Sequence, residues 1–380
     1  ATSPATVQIK GYNTAKVSIQ VTSNVVTGNT FKVTPSGHIY FLSNLSGNID
    51  VVKTNLDGSG RTTVLAGTGK EDPNTTSLLA TRDWRYLVLQ AKRDTTHSAL
   101  YLIDTATDKL TQFDTSDATF NLIGWYGHNF VYDLVSNTTP QSQNSHELVK
   151  SYDAENTQLN QLDQTQAEGT ATSYGYQGFS NFYILDNAVV YSTHWYTYDS
   201  TPTTYDLSSK TDAIRAVQPG RQNKKDYQTF PATNVSYIQA ALYEPQAVNF
   251  AAFTSDNKTS YYTFENQSIA AANLSENNFN KDYPTYLLSP DSSQTFWTEL
   301  RDGKNTLFTG NNNAANKKQI ASLSEYSPYG WYSNDYLLVS KAKSELYIMP
   351  VSGSSKPLKI TDYYKPARTY NGYGYGYGGL

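Results

Sequence analysis

A strand-rich motif recurs along this 380-residue chain about every 40 to 60 residues. Its clearest copies are Pro35-Ser36-Gly37-His38-Ile39-Tyr40-Phe41-Leu42-Ser43, and Ser289-Pro290-Asp291-Ser292 leading into Gln294-Thr295-Phe296-Trp297. Each copy is a turn followed by an apolar run, too short to bury its own faces. Stacked neighbours must do that, and a repeat of this length matches one four-stranded blade of a β-propeller.

Between these copies the chain divides into seven units. The first covers 36–69 and turns at Asp57-Gly58, a pair that accepts the positive φ of a tight hairpin. The second covers 77–122, with Tyr86-Leu87-Val88-Leu89 and Ala99-Leu100-Tyr101-Leu102-Ile103-Asp104 as strands. The third, 124–166, holds Phe130-Val131-Tyr132 and Glu147-Leu148-Val149. The fourth starts near Phe182, carries Ala188-Val189-Val190-Tyr191, and continues into a polar excursion over 196–233. Asp212-Ala213-Ile214-Arg215-Ala216-Val217 reads as a helical turn within it. Units over 235–280, 285–325 and 330–362 complete the set. Gly124-Trp125-Tyr126 and Gly330-Trp331-Tyr332 precede strands at the same phase four units apart, which marks Trp125 and Trp331 as equivalent packing positions.

The expectation is therefore an all-β chain forming a single closed β-propeller of seven four-stranded blades; the irregular middle leaves six or eight open. Residues 1–35 are the lead-in, in which Val17, Ile19 and Val21 alternate with polar residues and Thr30-Phe31-Lys32-Val33 forms a second strand. One of these is expected to pair near Leu358-Lys359-Ile360 and close the ring, which removes exposed sheet edges. The propeller spans 36–366, and 367–380 is a Tyr/Gly-rich tail.

The blades resemble the TolB-type propeller repeat, the WD-like blade also found in prolyl oligopeptidase and dipeptidyl peptidase propellers. That pattern runs Ser-Pro-Asp-Gly, an apolar strand, an Arg-Asp-Gly-like turn, then Leu-Tyr and a Gly-containing hairpin. Ser289-Pro290-Asp291, Leu300-Arg301-Asp302-Gly303 and Leu307-Phe308 follow it, as do Lys92-Arg93-Asp94 with Leu100-Tyr101, and Glu345-Leu346-Tyr347 with Ser352-Gly353. The resemblance covers 36–122 and 285–362, and implies a scaffold, binding platform or gate. In the peptidases the chemistry sits in a separate hydrolase domain. No Gly-x-Ser-x-Gly elbow occurs here, so peptidase activity is not carried over.

Composition narrows the function. The formal net charge is −4, so no field draws in nucleic acid or an anionic membrane. Charged residues make up 16%, against roughly 25% in an average soluble protein. Polarity is carried instead by Asn, Thr, Ser, Gln and 32 tyrosines, a palette that points outside the cytoplasm. Cysteine is absent, which removes disulfides, thiolate metal sites and thiol nucleophiles together. The one methionine is Met349, so Ala1 is read as a trimmed start, with any signal or anchor upstream. No apolar run approaches the ~18 residues that span a bilayer.

The densest aromatic stretch is Tyr191-Ser192-Thr193-His194-Trp195-Tyr196-Thr197-Tyr198. Two roles fit it. Tyr and Trp faces stack on sugar rings or anchor a protein partner, and alternating aromatics also fill the space between blades. Because it leads into the long excursion, His194, Trp195, Tyr196 and Tyr198 are the candidate ligand-binding residues. Among His38, His97, His128, His146 and His194 none has His-x-x-x-His spacing, and Asn55-Leu56-Asp57-Gly58 lacks a closing calcium ligand at Ala66. No metal, cofactor or catalytic residue is expected.

The sequence thus points to a non-catalytic, extracytoplasmic, monomeric platform for a protein or envelope glycan, using the 196–233 loop face or the central mouth. A carbohydrate-binding or carbohydrate-active propeller, and a structural module of a longer surface protein, are the alternatives.

Overall fold

The computed structural model describes residues 2–13, 15–20, 35–94, 97–136, 147–200, 205–221, 223–279, 287–321, 325–342 and 344–365. Seven sheets stand round a common axis in chain order. Blade one holds three described strands, His38–Ser43, Asp50–Asn55 and Thr62–Leu65. Blades two (77–116), three (119–164), five (235–272), six (287–321) and seven (326–362) hold four each, and blade four (167–231) holds five. Sequence neighbours pair antiparallel throughout, so every blade is a meander. Glu276–Phe279 is the only helix among the described residues.

The inner strands are covered on both faces by adjacent blades and so read as unbroken apolar runs rather than alternating ones. Residues 39–43 and 86–91 are buried without interruption. Outer strands such as Lys109–Ser116 lose that pressure and become half-exposed.

The recurring turn joins the first two strands of a blade, and its chemistry is the same in blades two and six. Thr81 Oγ1 donates to Asp83 Oδ1 (2.7 Å), while Tyr86 N donates back to Thr81 Oγ1 (3.1 Å). Ser289 Oγ donates to Asp291 Oδ1 (2.7 Å), while Gln294 N donates back to Ser289 Oγ (3.0 Å). The fourth turn residue is left-handed in both, with φ of 59° at Trp84 and at Ser292. This is the Gly position of the family pattern, where a side chain is strained. Trp84 is held there because its ring is buried and its indole N–H donates to Trp331 O (2.6 Å).

Trp125 and Trp331 are equivalent, as their phase implies. Each lies in the first strand of its blade and donates to a carbonyl in the first strand of the blade before it: Trp125 to Leu79 O (3.1 Å), Trp331 to Leu287 O (2.7 Å). With Trp84 they fill the axis, leaving a void of about 30 Å³, room for roughly one water.

Two expectations are corrected. Thr211–Val217 is a strand, not a helical turn: it is the only partner of Val189–Thr193 on that side, and Ala213, Ile214, Ala216 and Val217 are buried by it. The 196–233 excursion accordingly contains the fourth and fifth strands of blade four, and that blade begins at Ala167 rather than near Phe182. Of the two strands expected to close the ring, Ala15–Gln20 pairs with Thr2–Val7, and the other lies outside the described residues. Thr30–Val33 and the Tyr/Gly tail lie outside the described residues. The two ends of the ring meet through a shared core of Ile39, Phe41, Leu338, Ile348 and Ile360, and through Tyr364 N donating to Leu42 O (2.8 Å).

Candidate functional site

Blade four departs from its neighbours in strand length. Ser173–Leu185 and Ala188–Asp199 run 13 and 12 residues, whereas Thr211–Val217 pairs only with Val189–Thr193. From His194 outward the hairpin projects past its blade, joined only by the short strand Ala167–Gly169. Its Asp186-Asn187 turn is at the mouth, so the projection leaves the opposite face.

Side chains alternate across a strand, so residues two apart share a face. Tyr174 pairs with Tyr198 and Tyr176 with Tyr196, which puts four rings on one face. They meet as two rungs: Tyr174–Tyr198 with centroids 5.0 Å apart, and Tyr176–Tyr196 stacked at 5.3 Å. Successive rungs are about 6.8 Å apart along the strand. Tyr196 is 43% exposed and Tyr198 48%.

The next pair inward is Gly178 with His194. A Cβ on Gly178 would lie 3.0 Å from the Tyr196 ring and 3.5 Å from Glu147 Oε1, so the glycine leaves a notch shared by ring and carboxyl. Glu147, from blade three, accepts Phe179 N at Oε2 (2.8 Å). Burial pushes its carboxyl up to about 7. Asp133, two rungs away on the same face, is fully buried; Asn121 donates to its Oδ2 and its Oδ1 has no partner. Burial, then the charge of Glu147, raises the Asp133 pKa well above the usual carboxylate range. Burial, and after it Glu147, also raises the phenol pKa values of Tyr176 and Tyr196.

His194 packs edge-on to Tyr196 at 4.6 Å, and its Nδ1 lies 2.7 Å from Asp212 Oδ2. Asp212 is fully buried and its other oxygen accepts Trp195 N (2.8 Å).

Of the sequence-chosen residues, His194, Tyr196 and Tyr198 share the ladder face. Trp195 points the other way, is 4% exposed, and lies under Lys210 Nζ at 4.8 Å. Tyr174, Tyr176, Glu147, Asp133 and Asp212 were not singled out. The Tyr-x-Tyr spacing at 174/176 and at 196/198 was the available signal for two of them.

The central mouth is the other candidate. It is a cavity of about 250 Å³ lined by the first-hairpin turns of blades two, three, four and six. Its polar groups are engaged with one another. Arg82 Nη1 donates to Asp186 Oδ1 (2.8 Å) and Ser292 Oγ (2.7 Å), so one guanidinium links three blades. His128 sits between Asp83 (2.9 Å) and Glu155 (2.7 Å). No metal-binding group of three or more His, Cys, Asp or Glu occurs among the described residues. His146 lies outside them.

No known family profile matches the sequence, and no curated protein does. Solved propeller structures are similar at low sequence identity. The chain is similar to the β-propeller domain of the trilobed protease from Pyrococcus furiosus, at 10% identity over 87% of this chain and 93% of that one (TM-score 0.45). It is similar to TolB from Acinetobacter baumannii, at 11% identity over 80% of this chain and 74% of that one (TM-score 0.32). It is similar to a prolyl endopeptidase, at 10% identity over 86% of this chain and 49% of that one (TM-score 0.43). The β-propeller itself is shown by the seven sheets round a common axis.

Proposed function

We propose that this propeller is a non-catalytic binding platform displayed outside the cytoplasm, and that its contact surface is the tyrosine ladder of blade four. One observation carries the reading: two rungs of paired tyrosines, one stacked and one tilted, project beyond the ring on a hairpin, with Tyr196 and Tyr198 open to solvent. Tyrosine gives large contact area at low entropic cost and keeps a hydroxyl for polar partners. The rigid blade fixes the rungs, so little ordering is lost on binding. The ligand class is a protein or an envelope polymer. The charge-poor, Tyr/Asn/Thr/Ser-rich composition supports the location.

The test immobilises the chain and a Tyr196→Ala/Tyr198→Ala double variant and offers both the organism's envelope fraction, separated into protein and polymer. A component held by the native chain and lost by the double variant supports the platform. Equal retention by both overturns it.

A further inference from the structure

The projecting end of blade four is a small sheet with one open edge. Thr211–Val217 stops pairing at Thr193, so Tyr196–Asp199 is laddered on one side only, with residues 173–176. Along an antiparallel strand the backbone groups face the partner and face away by turns. Trp195 N faces away, because it donates to Asp212 Oδ1. So does the residue opposite it, Gln177, whose N–H goes to Gln166 O (2.7 Å). By the same alternation Thr197 and Asp199 present N–H and C=O to the open side. No described residue takes these groups.

An open edge of this kind accepts an extended chain as a further strand. The added side chains stand opposite those of the edge, with the same spacing of about 6.8 Å between alternate residues. What the edge offers them is aromatic and acidic. Tyr196 and Tyr198 are exposed on one face. Residues 196–209 hold two acids, Asp199 and the exposed Asp206, and no base. Lys210 is engaged with Glu168 (2.6 Å) and the buried Trp195 ring. Other tyrosines are covered by a base of this chain, as Tyr86 is by Arg85 (4.6 Å) and Tyr227 by Lys225 (4.5 Å). Tyr196 and Tyr198 have no such cover among the described residues. Their faces are therefore open to a cation from outside, which the ring quadrupole attracts. A second copy of this edge, or an acidic segment, would set like charges against each other.

We propose that an extended basic segment of another protein adds to blade four as a strand along Tyr196–Asp199, with alternate Arg or Lys side chains over Tyr196 and Tyr198. This rests on the ladder being the contact surface, and makes its partner a protein.

The test is fluorescence-anisotropy titration of the full chain with three labelled decapeptides: alternating Arg-Thr, alternating Glu-Thr, and the Arg-Thr peptide N-methylated at its threonines. The Arg-Thr peptide is expected to bind, more weakly as salt is raised. The N-methylated peptide, which keeps the charge and loses the N–H groups that face the edge, should bind at least about tenfold more weakly. Thr197→Pro should weaken the Arg-Thr peptide as much, since it removes an outward N–H and spares the pairing with Gly175. Tyr196→Ala/Tyr198→Ala should do the same, and Asp206→Asn should cost several-fold. Thermal melts of each variant separate lost binding from lost folding. Equal binding of the Glu-Thr peptide overturns the basic partner. Native affinity for the N-methylated peptide overturns strand addition, even if Thr197→Pro fails to fold. If no peptide binds, the proposal falls, while the envelope experiment decides the platform on its own.

Discussion

The mouth of the ring and the projecting hairpin of blade four are both built from strand pairs and turns, yet they treat their functional groups in opposite ways. At the mouth, Arg82, Asp186, Ser292, His128, Asp83 and Glu155 are spent on one another, and three tryptophans close the axis beneath them. On the hairpin, Tyr196 and Tyr198 keep large exposed faces, while behind them Glu147 accepts Phe179 N and His194 pairs with Asp212. Mutual satisfaction stabilises a fold; an open face fixed from behind is what recognition needs. The mouth therefore reads as structure and the ladder as surface.

The largest break in this contrast comes from the hub. Trp84→Ala should lose about 3–5 kcal/mol of stability in urea denaturation, as large aromatic deletions do. Because Trp84 is left-handed, Trp84→Gly should recover about 1 kcal/mol of that, despite removing one more carbon. A glycine variant no more stable than the alanine one would mean that the left-handed turn stores no strain.

Next in size is a pH effect under the ladder. Glu147 and Asp133 are held protonated in the folded chain by burial, whereas the unfolded chain releases both protons above about pH 4. The folded state binds more protons, so stability is full at low pH and falls as pH rises toward about 7. Asp133→Asn should flatten that fall, read from denaturation midpoints between pH 4.5 and 8. A variant curve parallel to the native one would show that the pair is not coupled.

Tyr196→Ala and Tyr198→Ala belong at the other extreme for folding. Each should change stability by less than about 1 kcal/mol while removing most ligand affinity. A large loss of stability would make the rungs packing elements.

The smallest effect is at the mouth. Burial lowers the His128 pKa, but its hydrogen bonds to Glu155 and Asp83 outweigh that and raise it overall. Its contribution is present below the unfolded value of about 6.5 and is lost as pH rises through the raised one. Half-exposed ion pairs are weak, so His128→Gln should cost under about 1 kcal/mol at pH 6 and less at pH 9.

Much of the fold was legible because propeller signals are local. The Ser-Pro-Asp turn, the buried strand that follows and the repeated Gly-Trp-Tyr each sit within ten residues, and blades two, six and seven could be phased from them. Blade four hid its start because its long strand opens as Ser173-Tyr174-Gly175-Tyr176-Gln177-Gly178, with glycines where a strand normally shows branched residues. Those glycines are required by close approach: a Cβ on Gly175 would lie 2.6 Å from the Tyr205 ring. Asp212–Val217 looked helical because an Asp followed by Ala, Ile, Arg and Ala fits a helix start, and its strand state is set by long-range pairing. In the site, the 194–198 stretch stood out by density alone. Its partner tyrosines are some 20 residues upstream, and Glu147 belongs to another blade, so only pairing register brings them together.

The Trp84–Trp331 hydrogen bond joins blades two and seven, the two neighbours of blade one, across the top of it. It is a chord that bypasses one link of the ring. Blade one can then open as a separate cooperative unit while blades two to seven stay fastened at the axis. Native-state hydrogen exchange would register this as a free-energy step, with amides of Val51–Thr54 exchanging through a smaller opening than those of Leu87–Leu89.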